Sequence, residues 1–347
     1  MNRIKLPGMR KWLPVALACT VTLGGVALSP FSESSVYAAS SAEQSAVDWT
    51  SPARSSLLRV ISASARASDD FYSDPDNAKY VEVKSAVDRA RALLQETDVT
   101  STKLASAERS LSAALDAYIK EYIRDASILE RQTFQTARML SNAAGTTPGK
   151  YPQQAVDAML AVIDQAQAVA YDPNATPEQL RSAYRKYVDG FAVLQESRIY
   201  DQGSYAASLD AKRQNIQARL SELQSREDFA KLTASFEAHA AGLDRLLAAN
   251  ATQLAVEGAD RAVQSAYEAL TEGLNLAADL AQARSLMDSS PKGIRSGQYP
   301  SSAFGELRRA INQAASSLSG SAGASKLTEA RASLGKAVEK FKSTVHA

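Results

Sequence analysis

The stretch Leu180–Leu194, LRSAYRKYVDGFAVL, decides how this chain folds. Leu180, Ala183, Tyr187, Gly190 and Leu194 fall at i, i+3, i+7, i+10 and i+14, which is one face of an α-helix. The same face occurs earlier as Leu104, Ala107, Leu111, Ala114 and Tyr118. It returns as Val256, Ala259, Val263, Ala266 and Leu270, and a last copy reads Leu327, Ala330, Leu334, Ala337 and Phe341. The copies lie 76, 76 and 71 residues apart. Each alternates large and small, so that a neighbouring helix can approach at the small positions while the large ones fill the gaps.

A second face precedes each copy. It reads Val83, Val87, Ala90; then Met159, Ile163, Ala166; then Leu232, Phe236, His239; then Leu307, Ile311, Ala314. Further upstream lies a short echo: Ser64-Ala65-Arg66, Thr136-Ala137-Arg138, Gln217-Ala218-Arg219 and Gln282-Ala283-Arg284. One striped helix cannot bury its stripe alone. The recurrence therefore predicts an all-α chain of tandem three-helix bundles, with an elongated rod of shared long helices and a folded-back bundle both open.

Composition agrees. The chain has 347 residues, 45% of them hydrophobic and only 7% aromatic, with 16 Gly and 11 Pro gathered between the helical stretches. The N-terminus reads as a secretory signal: Arg3, Lys5, Arg10 and Lys11, then the apolar run Trp12–Leu28, then Val36-Tyr37-Ala38 at the cleavage site. Cleavage is expected after Ala38, giving a secreted or wall-associated protein with no integral span. The single cysteine, Cys19, lies within the signal. A lipoprotein reading would attach lipid there and anchor the chain to the membrane, but Leu17 stands one place from where a lipidation site wants it and the apolar run continues past the cysteine. The exported chain then holds together without disulfides. Removing 4 basic and 1 acidic residue from 39 and 38 leaves 35 against 37, a charge of −2, which offers no bulk attraction to nucleic acid.

The reading divides the chain into a signal peptide at 1–38, a disordered mature N-terminus at 39–51, and helical repeats at 52–120, 121–200, 201–275 and 276–347. Pro52 opens the first helix, and Ser73-Asp74-Pro75-Asp76 is a turn. Residues 102–143 contain neither Gly nor Pro and read as one helix of about 60 Å shared between repeats. A kink at Asp125-Ala126-Ser127 is the competing reading. Thr176-Pro177-Glu178-Gln179 reads as an N-cap, a first-turn Pro and a capping-box Gln.

Gly149-Lys150-Tyr151-Pro152 and Gly297-Gln298-Tyr299-Pro300 are the most distinctive local motifs, each leading into an apolar helix, a polar loop and the recurrent stripe. In this the chain resembles the FIVAR family of helical modules, found in multidomain surface proteins and secreted glycosidases of Gram-positive bacteria. The resemblance covers most of the mature chain, best at 145–195 and 291–345. It implies a cell-wall or glycan setting and carbohydrate binding. In helical style the chain is also similar to the α-helical wall-binding regions of some bacillar S-layer proteins.

Candidate residues follow. Tyr151 and Tyr299 are rings at helix starts, placed either to stack on sugars or to staple the first helical turn. His239 stands where the other copies have Ala90, Ala166 and Ala314; it reads as a partly buried helix-face residue, with no second His or Cys to build a metal site. Arg66, Arg138, Arg219 and Arg284 recur once per unit, either as a row for an anionic polymer or as local caps. No Gly-rich phosphate loop, zincin motif or Ser paired with a base is present. The expectation is a non-enzymatic protein without cofactor or metal, a spacer or binding module for cell-wall or extracellular glycan. Its ligand-binding residues are unknown at this stage. A membrane-active helical protein of the pore-forming kind, and a glycan-active enzyme with a site between repeats, are the alternatives.

Overall fold

A computed structural model describes residues 46–68, 77–222, 229–318 and 322–346. The signal peptide at 1–38 with Cys19, residues 39–45 and the turn at 73–76 lie outside the described residues. Within them stand eleven helices and no strand, so the chain is all-α. They are α1 (Pro52–Ser68), α2 (Ala78–Leu94), α3 (Ser101–Tyr122), α4 (Ala126–Leu140), α5 (Gln153–Ala170) and α6 (Pro177–Glu196). Then follow α7 (Gln202–Ser221), α8 (Ala230–Ala248), α9 (Gln253–Ser289), α10 (Ser301–Leu318) and α11 (Ala324–Ser343). None is long and apolar enough to cross a membrane.

The stripes are the core. All twelve large stripe positions are buried, from Leu104, Leu111 and Tyr118 to Leu327, Leu334 and Phe341, and so is every partner-face position quoted above. The register of each stripe is set by its helix cap. Thr100, Thr176 and Thr252 each sit outside a helix in extended conformation and accept a hydrogen bond from the third helical N–H, that of Lys103, Gln179 and Ala255. The first stripe residue follows four positions after each threonine. Such a cap satisfies one of the orphan donors of the first turn and is worth about 1 kcal/mol. In the last copy Gly323 stands at the cap with no side-chain bond. At Thr176 the expected capping box is complete, because Gln179 also accepts from the Thr176 N–H at 2.7 Å.

The long helix expected over 102–143 is two helices. Ile123 turns extended (φ −88°, ψ 91°), and Asp125 restarts the helix by accepting from the Ser127 N–H at 2.8 Å. A short acidic side chain competes with the helix ladder for its own neighbouring N–H, which breaks a helix without Gly or Pro. Ile123 is fully buried at the bend, so the turn also places an anchor. The helix that does run on is α9, 37 residues and about 55 Å long. The expected boundary at 275/276 falls inside it.

Helices α1, α2 and α3 pack on one another, as do α4, α5 and α6. Helix α9 serves two groups, packing with α7 and α8 and also with α10 and α11. Helix α1 also lies along α6 and touches α9. Helix α1 therefore packs on helices of other groups, which the rod reading did not include.

Residues 46–51 correct a second expectation. Ala46, Val47 and Trp49 are buried rather than disordered, and Val47 N–H donates to the Ala238 carbonyl at 3.3 Å. Trp49 is 1% exposed and lies against Gly242 of α8 and Gly258 of α9. A Cβ at Gly242 would stand 2.9 Å from the Val47 oxygen, and one at Gly258 2.9 Å from the Trp49 ring. These helix glycines leave the room the indole fills.

Candidate functional site

The two tyrosines serve packing. Tyr151 is buried, its N–H donates to Ala143 and its hydroxyl accepts from Gln195 Nε2 at 2.9 Å. Tyr299 lies flat on Phe341, rings 4.5 Å apart and 3° from parallel, and its N–H donates to Pro291. In both loops the preceding glycine holds a left-handed φ, +88° at Gly149 and +76° at Gly297. Each of these glycines donates to a residue just beyond the last helix of its group, Gly149 to Ile199 and Gly297 to His346, both at 2.8 Å. Ile199 and His346 donate back to Lys150 and Gln298. The paired bonds clamp the start of one hairpin to the end of its second helix, so the rings staple the fold instead of projecting to a ligand.

His239 is 1% exposed and works as a helix cap. Its Nε2 donates to the Gln95 carbonyl at 2.9 Å, so in the neutral ring the proton sits on Nε2 and Nδ1 is the bare nitrogen. Arg54 from α1 donates to the Leu94 carbonyl at 2.8 Å and to that of Glu96 at 3.1 Å. Three successive carbonyls at the end of α2, orphaned where the helix stops, are thus satisfied from α8 and α1 together. Burial pushes the His239 pKa below its ordinary value, against the bond to Gln95 and with help from the Arg54 charge. Burial also lowers that of Arg54, whose guanidinium stacks 4.7 Å over Trp49.

The four recurrent arginines have unlike surroundings. Arg138 and Arg284 are exposed, and Arg219 donates to Asn275 Oδ1 at 2.8 Å. Arg66 is the one built into a network. Its Nε and Nη2 donate to the Tyr187 hydroxyl at 3.0 and 2.6 Å, and Nη2 also reaches Gln132 Oε1 at 2.6 Å and Thr136 Oγ1 at 3.0 Å. These partners come from α4 and α6, so Arg66 ties α1 to that group. Its guanidinium lies 5.0 Å over the Phe191 ring.

Arg66 also lines a cleft of about 340 Å³ where α1 passes between α6 and α9. Leu58 and Ile61 of α1, Phe191 of α6 and Leu254 of α9 make its apolar wall. Arg91 from α2, Arg261 and Glu257 from α9, and Gln195 from α6 make the polar part. The stripe pattern does not point to Arg91 or Arg261. Each lies on a polar helix face three or four residues from a carboxylate, Asp88 or Glu257, and reads in sequence as an ordinary helix ion pair. The only signal for the junction was the pair of isolated glycines, Gly242 and Gly258, inside helical stretches.

The arrangement can hold a ligand. It presents donors, an apolar wall and one carboxylate. No family model matches the chain, and neither a curated protein nor a solved structure shows significant similarity to it.

Proposed function

We propose that this chain is a non-enzymatic, exported helical-repeat protein, a spacer or binding module acting on cell-wall or extracellular glycan. In this reading it is one three-helix unit repeated four times, FIVAR-like in kind, with the third and fourth units sharing α9. The observation that carries it is the recurrence of one buried stripe behind a threonine cap at Thr100, Thr176 and Thr252. A repeat of this sort spends its inward faces on packing and leaves its outer faces and unit junctions to partners. The reading of residues 1–38 as an export signal supplies the setting.

The test is co-sedimentation of the full-length chain, produced in an exporting host, with purified Gram-positive cell wall and with wall stripped of its secondary polymer. Retention on intact wall, with no release of soluble sugar over time, is the expected result. A chain that stays in the supernatant with both preparations, or that solubilises the wall, overturns the proposal.

A further inference from the structure

The cleft between α1, α6 and α9 carries positive charge that its own side chains leave uncancelled. Arg66 spends its bonds on neutral oxygens and makes no ion pair with a described residue. Arg91 keeps its Nη1 4.0 Å from Asp88, and its buried Nε has no partner. Arg261 stands 3.7 Å from Glu257, whose other oxygen is taken by Gln253. Elsewhere the arginines close on carboxylates: Arg59 on Glu196 at 2.8 Å, Arg213 on Asp244 and Arg331 on Asp279 at 2.7 Å. Three guanidinium groups with slack counter-ions thus share one cavity with a single carboxylate.

A guanidinium presents a fork of N–H donors that matches an oxyanion, and its bonds to one are stronger than those to a neutral oxygen. The apolar wall of Ile61, Phe191 and Leu254 suits the C–H face of a sugar ring better than bare phosphate. A cavity of about 340 Å³ lies at the small end of ligand sites, which begin near about 300 Å³. That is room for a short saccharide, not for a duplex or a folded partner.

We propose that this cleft binds a saccharide bearing an anionic group, phosphate or carboxylate, with the anion held by Arg66, Arg91 and Arg261. The source of such a saccharide, an acidic extracellular or wall polymer, rests on the function proposed above; the chemistry of the cleft does not.

Calorimetric titration of the full-length chain with glucose 1-phosphate, galacturonate, glucose and inorganic phosphate tests it. Both sugar acids should bind, more weakly as salt is added. Glucose and inorganic phosphate should each be weaker by on the order of tenfold, the cost of losing about one charged hydrogen bond or the ring contact. Arg91→Gln with Arg261→Gln should weaken the sugar acids by on the order of tenfold or more. These two side chains are partly exposed and loosely paired, so the melting temperature should hold. Glu257→Gln removes the opposing charge and should tighten binding, which keeps the proposal testable if the double variant misfolds. Arg331→Gln, outside the cleft, should bind as the wild type does.

Inorganic phosphate binding as tightly as the sugar phosphate would reduce the cleft to a plain anion site. Glucose binding equally well, or full affinity in the double variant, would overturn the proposal outright. A chain that binds sugar acids but not cell wall would sink the function proposed above and leave the cleft. A wild type retained on wall, with a double variant that keeps full sugar-acid affinity, would do the reverse.

Discussion

Helix α1 has two kinds of neighbour around α9. Towards α8 the junction is closed at Trp49, which fills the space left by Gly242 and Gly258. Arg54 and His239 bond the carbonyls at the end of α2, beside a pocket of about 310 Å³ that Gln95, Glu96 and His239 help to line. Towards α6 the junction stays open as the arginine-lined cleft. Leu58 and Gly258 belong to both, since each touches the closed packing and lines the opening. One helix thus packs tightly around Trp49 on one flank and leaves the arginine-lined cleft on the other. The packing that holds the helical groups is therefore separated from the proposed binding cleft by a single helix. Substitutions on the closed flank should move stability, and those in the cleft should move affinity.

The largest effect is expected from Trp49→Ala. It empties a fully buried site that α8 and α9 cannot fill, because both carry glycine there, and it should cost about 3–5 kcal/mol in chemical denaturation. Sugar-acid affinity per folded molecule should change little. A loss below about 1 kcal/mol, within the usual range for surface substitutions and small adjustments, would mean that the closed flank does not hold the groups together.

Gly242→Ala comes next. The new methyl would meet the Val47 carbonyl at 2.9 Å and Trp49 Cδ1 at 3.0 Å, and a backbone atom cannot swing aside. The change should destabilise by about 1–3 kcal/mol even though alanine is the better helix former. Combining it with Trp49→Ala should cost less than the sum of the two, since both act on one contact. Strict additivity would show that residues 46–49 and α8 are not coupled.

The stripes were legible because a 3.6-residue period is local and repeats in register. The break at Ile123 was half legible: Asp125-Ala126-Ser127 is a cap signal, but nothing nearby excludes a continuous helix. The closed flank was not legible. Trp49 follows a run of small polar residues, and its partners lie about 190 residues downstream. Isolated helix glycines look like tolerated defects until the ring that needs them is placed beside them. The cleft was hidden for the same reason, since Arg66, Arg91 and Arg261 meet only through tertiary packing.

Acidification should loosen the closed flank. His239 is neutral when folded, with its pKa pushed down chiefly by burial, while in the unfolded chain it titrates near its ordinary value of about 6.5. As pH falls through that value the unfolded state takes up a proton that the folded state refuses, so stability drops until the lower folded pKa is reached. The facing groups are Arg54 of α1, which opposes the added charge, the neutral Trp49 ring and the Gln95 carbonyl of the segment after α2. Between about pH 8 and about pH 5, which bracket the ordinary imidazole pKa, the wild type should lose more stability than His239→Gln. Gln keeps a donor for the Gln95 carbonyl without a titratable ring. Equal losses would place the acid sensitivity elsewhere.

Gly190→Ala should have the smallest effect, and its sign shows whether α5 and α6, like the closed flank, depend on a missing Cβ. Gly190 is the stripe position where the other copies carry Ala114, Ala266 and Ala337. Helix propensity and lower unfolded-state entropy favour alanine by about 0.5–1 kcal/mol. Against this, the new Cβ would stand 3.2 and 3.3 Å from the two methyls of Val162 on α5. A valine in a helix is confined to one χ1 rotamer, so both methyls cannot turn away and α5 itself must shift by a few tenths of an ångström. In the register of the partner faces, Val162 corresponds to Ala86, Ser235 and Ala310, small residues in each copy that carries alanine on the stripe. The glycine and the valine thus read as one exchange of volume between two helices. Gly190→Ala alone should therefore be close to neutral, the two contributions offsetting. In a Val162→Ala background the same change should stabilise by the full about 0.5–1 kcal/mol. Equal stabilisation in both backgrounds would show that α5 yields freely and that the packing of α5 on α6 does not depend on a missing Cβ. A clear loss in both would point to the remaining neighbour, Met159 Sδ at 3.5 Å, and to a closer approach of α5 and α6 than Val162 alone imposes.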